Sequence, residues 1–137
     1  MKYKETTEKL KQSYPKNSYI CIREQSSSLK AQEELSKYLD GKKIDFLFID
    51  GGHEYEDVIN DWKNYRKFWD EDGLAAFHDI IEYPEVYKAW QEICSSELGF
   101  KHAECREEGV PLLTFSNDRD RRKFGKKMIL GVGYLYK

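Results

Sequence analysis

A chain of 137 residues with 39% hydrophobic and 35% charged residues holds enough apolar material for one core, and too much for a disordered segment. Asp and Glu number 25 against 23 Lys and Arg, so the net charge of −2 speaks against a nucleic-acid-binding protein. The three cysteines, Cys21, Cys94 and Cys105, fit neither a zinc pattern nor a disulfide framework, and no apolar run approaches the about 20 residues of a membrane span. The N-terminal MKYKETTEKLKQ has no apolar centre and is not a signal peptide, so a soluble, cytoplasmic protein with reduced thiols is expected.

Residues 4–13 are mostly polar and read as a short helix, and Tyr14-Pro15-Lys16-Asn17 reads as a turn. Residues 19–22 are a short β-leaning run. Ser26-Ser27-Ser28 offers N-cap residues for a helix over 29–39, where Leu29, Leu35, Tyr38 and Leu39 keep a helical period. Gly41 suits a left-handed cap. Residues 44–49 are nearly all apolar, which predicts a strand of a parallel sheet buried on both faces. Gly51-Gly52 ends it. Tyr55, Val58, Ile59, Trp62, Tyr65 and Trp69 then recur at spacings of three and four, which predicts an amphipathic helix over 55–69. Asp70-Glu71-Asp72-Gly73 stops that helix, and residues 74–77 form a second buried strand ending in His78-Asp79. Pro84 opens a further helix whose inner face is Val86, Tyr87, Trp90 and Ile93 or Cys94, and Gly99 closes it. Residues 100–106 and 128–136 read as two strands joined by a turn-rich basic stretch, an antiparallel pair. Alternating strands and helices predict an α/β fold in a single domain over 1–137, a mostly parallel sheet with flanking helices and a C-terminal antiparallel hairpin at its edge.

Ligands of open parallel sheets bind outside the carboxyl ends of the strands. Two strands here end in acidic and imidazole groups, Asp50 with His53 and His78 with Asp79. If the strands are parallel neighbours, these four residues converge on one edge, where carboxylates suit magnesium and imidazole favours manganese, iron or zinc. Gly51 and Gly52 allow the backbone to approach a ligand closely. Taken singly, Asp50 reads as a turn former, His53 as a neighbour of a helix cap and His78 as a core histidine. Two matching strand ends separated by one helix favour a ligand edge. The stretch 119–127 carries six Lys or Arg in nine residues and reads as a solvated loop or as a contact for an anionic substrate. Trp62, Tyr65 and Trp69 read as helix packing rather than a base-stacking platform.

The run from Ile44 through Asp50-Gly51-Gly52-His53-Glu54-Tyr55 to Val58 resembles the DLIFIDGDHSYEGV segment of class I S-adenosylmethionine-dependent methyltransferases, in the subgroup of cephalosporin-hydroxylase-like and macrolide-sugar O-methyltransferases. Gly73-Leu74-Ala75-Ala76-Phe77-His78-Asp79-Ile80 looks like that subgroup's GGLIVFHDI strand, and Gly131-Val132-Gly133 like its terminal GIGV strand. The resemblance implies a Rossmann-like fold and methyl transfer from S-adenosylmethionine to an oxygen of a small molecule or sugar, assisted by magnesium or another divalent metal. It implies that Asp50 and Gly51 lie beside the cofactor, that Gln25 and Ser26 contact it, and that Asp50, His78 and Asp79 hold metal. It casts His53 and Asp50 as catalytic, His53 as the base, a role that histidine's ordinary pKa of about 6.5 suits.

The family's cofactor site also has an earlier strand with a Gly-rich loop, and a second strand ending in an acidic residue. The first 18 residues here contain no glycine. The resemblance therefore implies a sheet lacking the family's first strands, which leaves an unpaired edge and an uncovered apolar face. A homo-oligomer joined edge to edge, or a partner supplying the missing half, is the expected remedy. The rival readings are a partial fold serving as a binding or assembly module without catalysis, and a metal-dependent hydrolase, against which stands the lack of a nucleophile motif.

Overall fold

A computed structural model of the chain describes residues 2–111 and 127–137, with side chains placed for 5–106 and 131–137. Its packing separates two units, Met1–Gly41 and Lys42–Lys137. The first unit holds helices α1 (Lys2–Ser13) and α2 (Leu29–Leu39). Ser28 Oγ accepts from the Ala31 N–H at 3.1 Å and caps α2, as the serine run predicts. Both Asp40 and Gly41 adopt positive φ to end it, at 49° and 80°. Residues 19–22 do not form a strand. Their β-leaning composition finds no ladder to join, and β-propensity is chiefly a fit to neighbouring strands.

The second unit runs β1 (Ile44–Ile49), α3 (Tyr55–Tyr65), a 3-10 turn (Arg66–Phe68), β2 (Trp69–His78), α4 (Pro84–Ser96), β3 (Lys101–Pro111) and β4 (Lys127–Tyr136). The sheet order is β1-β2-β4-β3. β1 and β2 pair parallel, and β4 pairs antiparallel with both β2 and β3. Three strands thus run one way and β4 alone is reversed. The expected antiparallel hairpin of β3 and β4 forms one edge of the sheet, with β3 outermost and β4 inside it. The crossover through α4 sets β3 in the same direction as β2 but one strand position away, and β4 returns to fill the gap and bond both neighbours.

Two further expectations change. The helix over 55–69 ends at Tyr65, because Trp69 starts β2 opposite Ile44 and drives its ring into the core, 1% exposed. The acidic run 70–73 is not a helix stop but a wide irregularity of β2, spanning from the Ile44–Trp69 pair to the Phe46–Leu74 pair. Gly73 is needed there, since a Cβ would lie 2.4 Å from the Asp45 carbonyl oxygen. β1 is also not buried on both faces. Leu47 and Ile49 face the core beneath α3 and α4, while Phe46 and Phe48 stay about half exposed and stack on each other at 6.1 Å.

The core lies between the sheet and the two helices. Phe77 of β2 meets Trp62 of α3 at 5.4 Å and Trp90 of α4 at 5.1 Å between ring centroids. Trp90 rests on Gly133 of β4, where a Cβ would come within 2.6 Å of its ring, and its indole N–H donates to Glu104 Oε1 at 3.0 Å. Arg66 lies over Trp62, Trp69 and Phe100 and pairs with Glu97 at 3.1 Å. The tryptophan stripe is packing, as its spacing predicts. Among the described residues no helix is long and apolar enough to cross a membrane.

Candidate functional site

The parallel register pairs Ile49 with Phe77, so the carboxyl ends of β1 and β2 lie side by side. This places residues 50–53 and His78-Asp79 on one edge. The turn out of β1 passes close under the first turns of α3. A Cβ on Gly52 would lie 2.1 Å from Asp57 Oδ2, and one on Gly51 would lie 3.1 Å from Asp61 Oδ2. Glycine at both positions lets the chain fold back tightly enough to bring His53 over the end of β2.

Asp79 is the hub of the edge. Its Oδ2 lies 2.8 Å from His53 Nε2 and its Oδ1 lies 2.8 Å from His78 Nδ1, which in turn is 3.4 Å from Asp50 Oδ1. Asp79 is 7% exposed and sits at φ 61°, a left-handed conformation that is costly for a residue with a Cβ. The His53 ring stacks flat on Tyr83 at 3.8 Å and 5°. An ionised carboxylate only accepts, so His53 donates Nε2–H to Asp79 and leaves Nδ1 as the proton-accepting atom. Half of Asp50 and much of His53 remain open to solvent, while Asp79 is enclosed. A ligand reaches the edge from one side, and the other side is fixed by packing.

Asp50, His78 and Asp79 each present one ligand atom, and the three atoms lie within 4.8 Å of one another. His78 Nδ1 is buried, and neither nearby carboxylate oxygen is aligned to form a hydrogen bond with it. A ring nitrogen set between two carboxylates without a hydrogen bond matches the donor set of a divalent cation, with oxygens for magnesium or manganese and a nitrogen that favours the latter.

The turn 79–83 adds two residues that sequence reasoning missed, Tyr83 and Glu82. Glu82 has both carboxylate oxygens buried without a hydrogen-bond partner among the described residues. Burial pushes its carboxyl above the usual range. Asp79 adds to the rise, while the backbone N–H groups of residues 81 and 82 and the His78 ring oppose it. Neither residue belongs to a periodic pattern. The available signal was their place on the connection that carries His78-Asp79, just ahead of Pro84.

Gln25 and Ser26, expected at the cofactor, lie in the first unit, in the turn before α2 where the Gln25 carbonyl accepts from the Ser28 N–H at 2.9 Å. Residues 119–126 of the basic stretch lie outside the described residues. Two cavities of about 320 Å³ lie away from the acidic edge, one lined by Trp90, Cys94, His102 and Glu104 and one between α3 and α4. The edge itself is a smaller cleft that runs from Asp50 to Asp79 over Val58 and Val86. Size favours the other cavities, but the cleft gathers two imidazoles and two carboxylates, and chemistry decides for it.

A family described as "Methyltransferase domain" matches residues 4–80, more than half of the chain and inclusive of both acidic strand ends. An uncharacterized protein of Acanthamoeba polyphaga mimivirus is 37% identical over 70 residues, which cover 49% of this chain and 32% of that protein. The match spans about a third of the length of that curated relative.

Proposed function

The chain belongs to the methyltransferase-domain family, and on that premise we propose that it transfers a methyl group from S-adenosylmethionine to a hydroxyl oxygen of a small molecule or sugar, with a divalent cation assisting. The observation that carries this reading is the chain of contacts His53–Asp79–His78 beside Asp50, at the carboxyl end of the parallel strand pair. In this reading the mixed sheet is a Rossmann-like arrangement, and the setting is cytoplasmic.

The residues define the roles. Asp50, His78 and Asp79 would hold the cation, which lowers the pKa of a bound hydroxyl and positions it. Asp79 and Tyr83 fix the plane and tautomer of His53, whose Nδ1 takes the hydroxyl proton. S-adenosylmethionine would supply the methyl group, the new oxygen–carbon bond forming as the carbon–sulfur bond breaks and its electron pair leaves with sulfur. Asp50 and Gly51 border the place of the cofactor's methionine end. The acidic first turn of α3, with Glu56 and Asp57, faces a sulfonium cation better than a phosphate.

Isothermal titration of S-adenosylmethionine, with and without magnesium, is the test. Heat is expected with magnesium present, and turnover of a methylated product is expected to fall by roughly 10²–10⁴-fold in His53→Ala. No heat at millimolar cofactor with magnesium sinks the reading for this chain. A second reading is a binding or assembly module without catalysis. A folded oligomer without cofactor affinity is its signature.

A further inference from the structure

We propose that Tyr55 is a positioning residue for His53, acting through a clip that it forms with Lys88 and Glu92 from α3 to α4. The assignment rests on the reading of His53 as the base. It starts from what the segment between β1 and α3 lacks. Residues 50–54 are all exposed, so no buried side chain holds them. Two of them are glycines, which leave the backbone its widest freedom. Ile49 anchors the segment on one side, and Tyr55 is the first side chain beyond it to pack against the core.

The helix ends supply no anchor of their own. The N-cap positions are Glu54 for α3 and Tyr83 for α4, and neither side chain caps its helix. Without a cap the first N–H groups go unpaired and the turn is free to fray. The path of residues 50–54 is therefore set by side chains that cross between the helices. One tie is the His53 ring lying on Tyr83. The other is Tyr55, whose hydroxyl donates to the Glu92 carboxylate and whose ring centroid lies 4.6 Å from Lys88 Nζ. Lys88 and Glu92 are four residues apart, so one face of α4 presents both. The bond to Glu92 pushes the phenol up to about 12, and Tyr55 stays a donor throughout the range of an assay. His53 lies two residues before Tyr55. A shift of Tyr55 passes along that short link to the imidazole and to its 2.8 Å contact with Asp79. A tyrosine that only filled the space between the helices would need its ring and not its hydroxyl.

Long-range proton–nitrogen NMR spectra of the full chain, recorded at mildly alkaline pH, read the rings of its three histidines. His53 is expected as the Nε2–H tautomer, with ring protons moved upfield by the face of Tyr83. Tyr55→Phe keeps the ring and removes the donor, and Glu92→Ala removes the acceptor. Both are expected to lose the upfield shift and to mix the tautomers, while His102 on β3 stays unchanged. Glu92→Gln keeps an acceptor and is expected to retain the signals of the unsubstituted chain. Turnover is expected to fall by about 10-fold in Tyr55→Phe and Glu92→Ala, short of the roughly 100-fold cost of a misplacement of about 1 Å. The Michaelis constant for S-adenosylmethionine should not move. Unaltered His53 signals in Tyr55→Phe and Glu92→Ala refute the positioning role, whatever the activity. If the signals move as expected but the unsubstituted chain makes no methylated product, the placement of His53 by Tyr55 stands and the methyl-transfer reading fails. Should Tyr55→Phe not fold, Glu92→Ala, a change at an exposed position, decides by the same signals.

Discussion

Asp79 serves two histidines with one carboxylate, and its left-handed backbone lets it turn from the end of β2 to face both. The same economy is absent at Cys94, which lines a cavity yet has no chemistry to offer. Burial pushes its thiol up to about 12, with the Glu104 carboxylate adding to the rise. The thiolate is the nucleophile, so a raised pKa lowers reactivity until the pH approaches that value. At pH 8 Cys21 and Cys105, both exposed, are expected to react fast with a disulfide reagent. Cys94 should lag by roughly 30-fold or more, after allowing for the greater intrinsic nucleophilicity of a high-pKa thiolate. Absorbance kinetics should resolve two fast thiols and one slow one, and three equal rates would contradict the burial of Cys94.

At the scale of elements, the contact between α4 and β4 depends on an absence. Gly133 leaves the space that the Trp90 ring occupies, and Trp90 is 1% exposed with its N–H already committed to Glu104. Gly133→Ala is expected to destabilise the protein by about 1–3 kcal/mol through overpacking, measured by urea unfolding. A loss below about 0.5 kcal/mol, the level of a neutral surface change, would show that the ring has room to move. Several elements were legible because their signals are local. Residues 44–49 are nearly all apolar, α3 and α4 carry apolar residues at three and four, and Pro84 marks the start of α4. The acidic strand ends Asp50 and His78-Asp79 were legible for the same reason, and the structure brings them together. What was illegible depends on distant partners. The place of β4 between β2 and β3 is set by the crossover through α4, the strand start at Trp69 by its pairing with Ile44, and the exposure of Phe46 and Phe48 by which face the helices choose. Glu82 and Tyr83 had no pattern to reveal them because turns carry none.

At the scale of the molecule, the second unit is a sheet with helices α3 and α4 on one face, and β1 is an edge strand of it. Phe46 and Phe48 stand on the other face of that edge. We propose that two copies pair along β1, which extends the sheet and joins the two phenylalanine pairs across the seam. Size-exclusion chromatography with light scattering should give a dimer at micromolar concentration, and Phe48→Lys should shift it toward monomer. A clean monomer for the unsubstituted chain would refute the pairing. The interior position of β4 has a consequence for synthesis on the ribosome. β2, α4 and β3 emerge first and leave a slot one strand wide, about 4.8 Å on each side, that only the residues from 127 onward can fill. Because the Gly131 carbonyl pins the turn behind Asp79, the acidic edge locks into shape only when that final strand has been translated and seated. The nascent chain is thus kept without a finished site until β4 has been made.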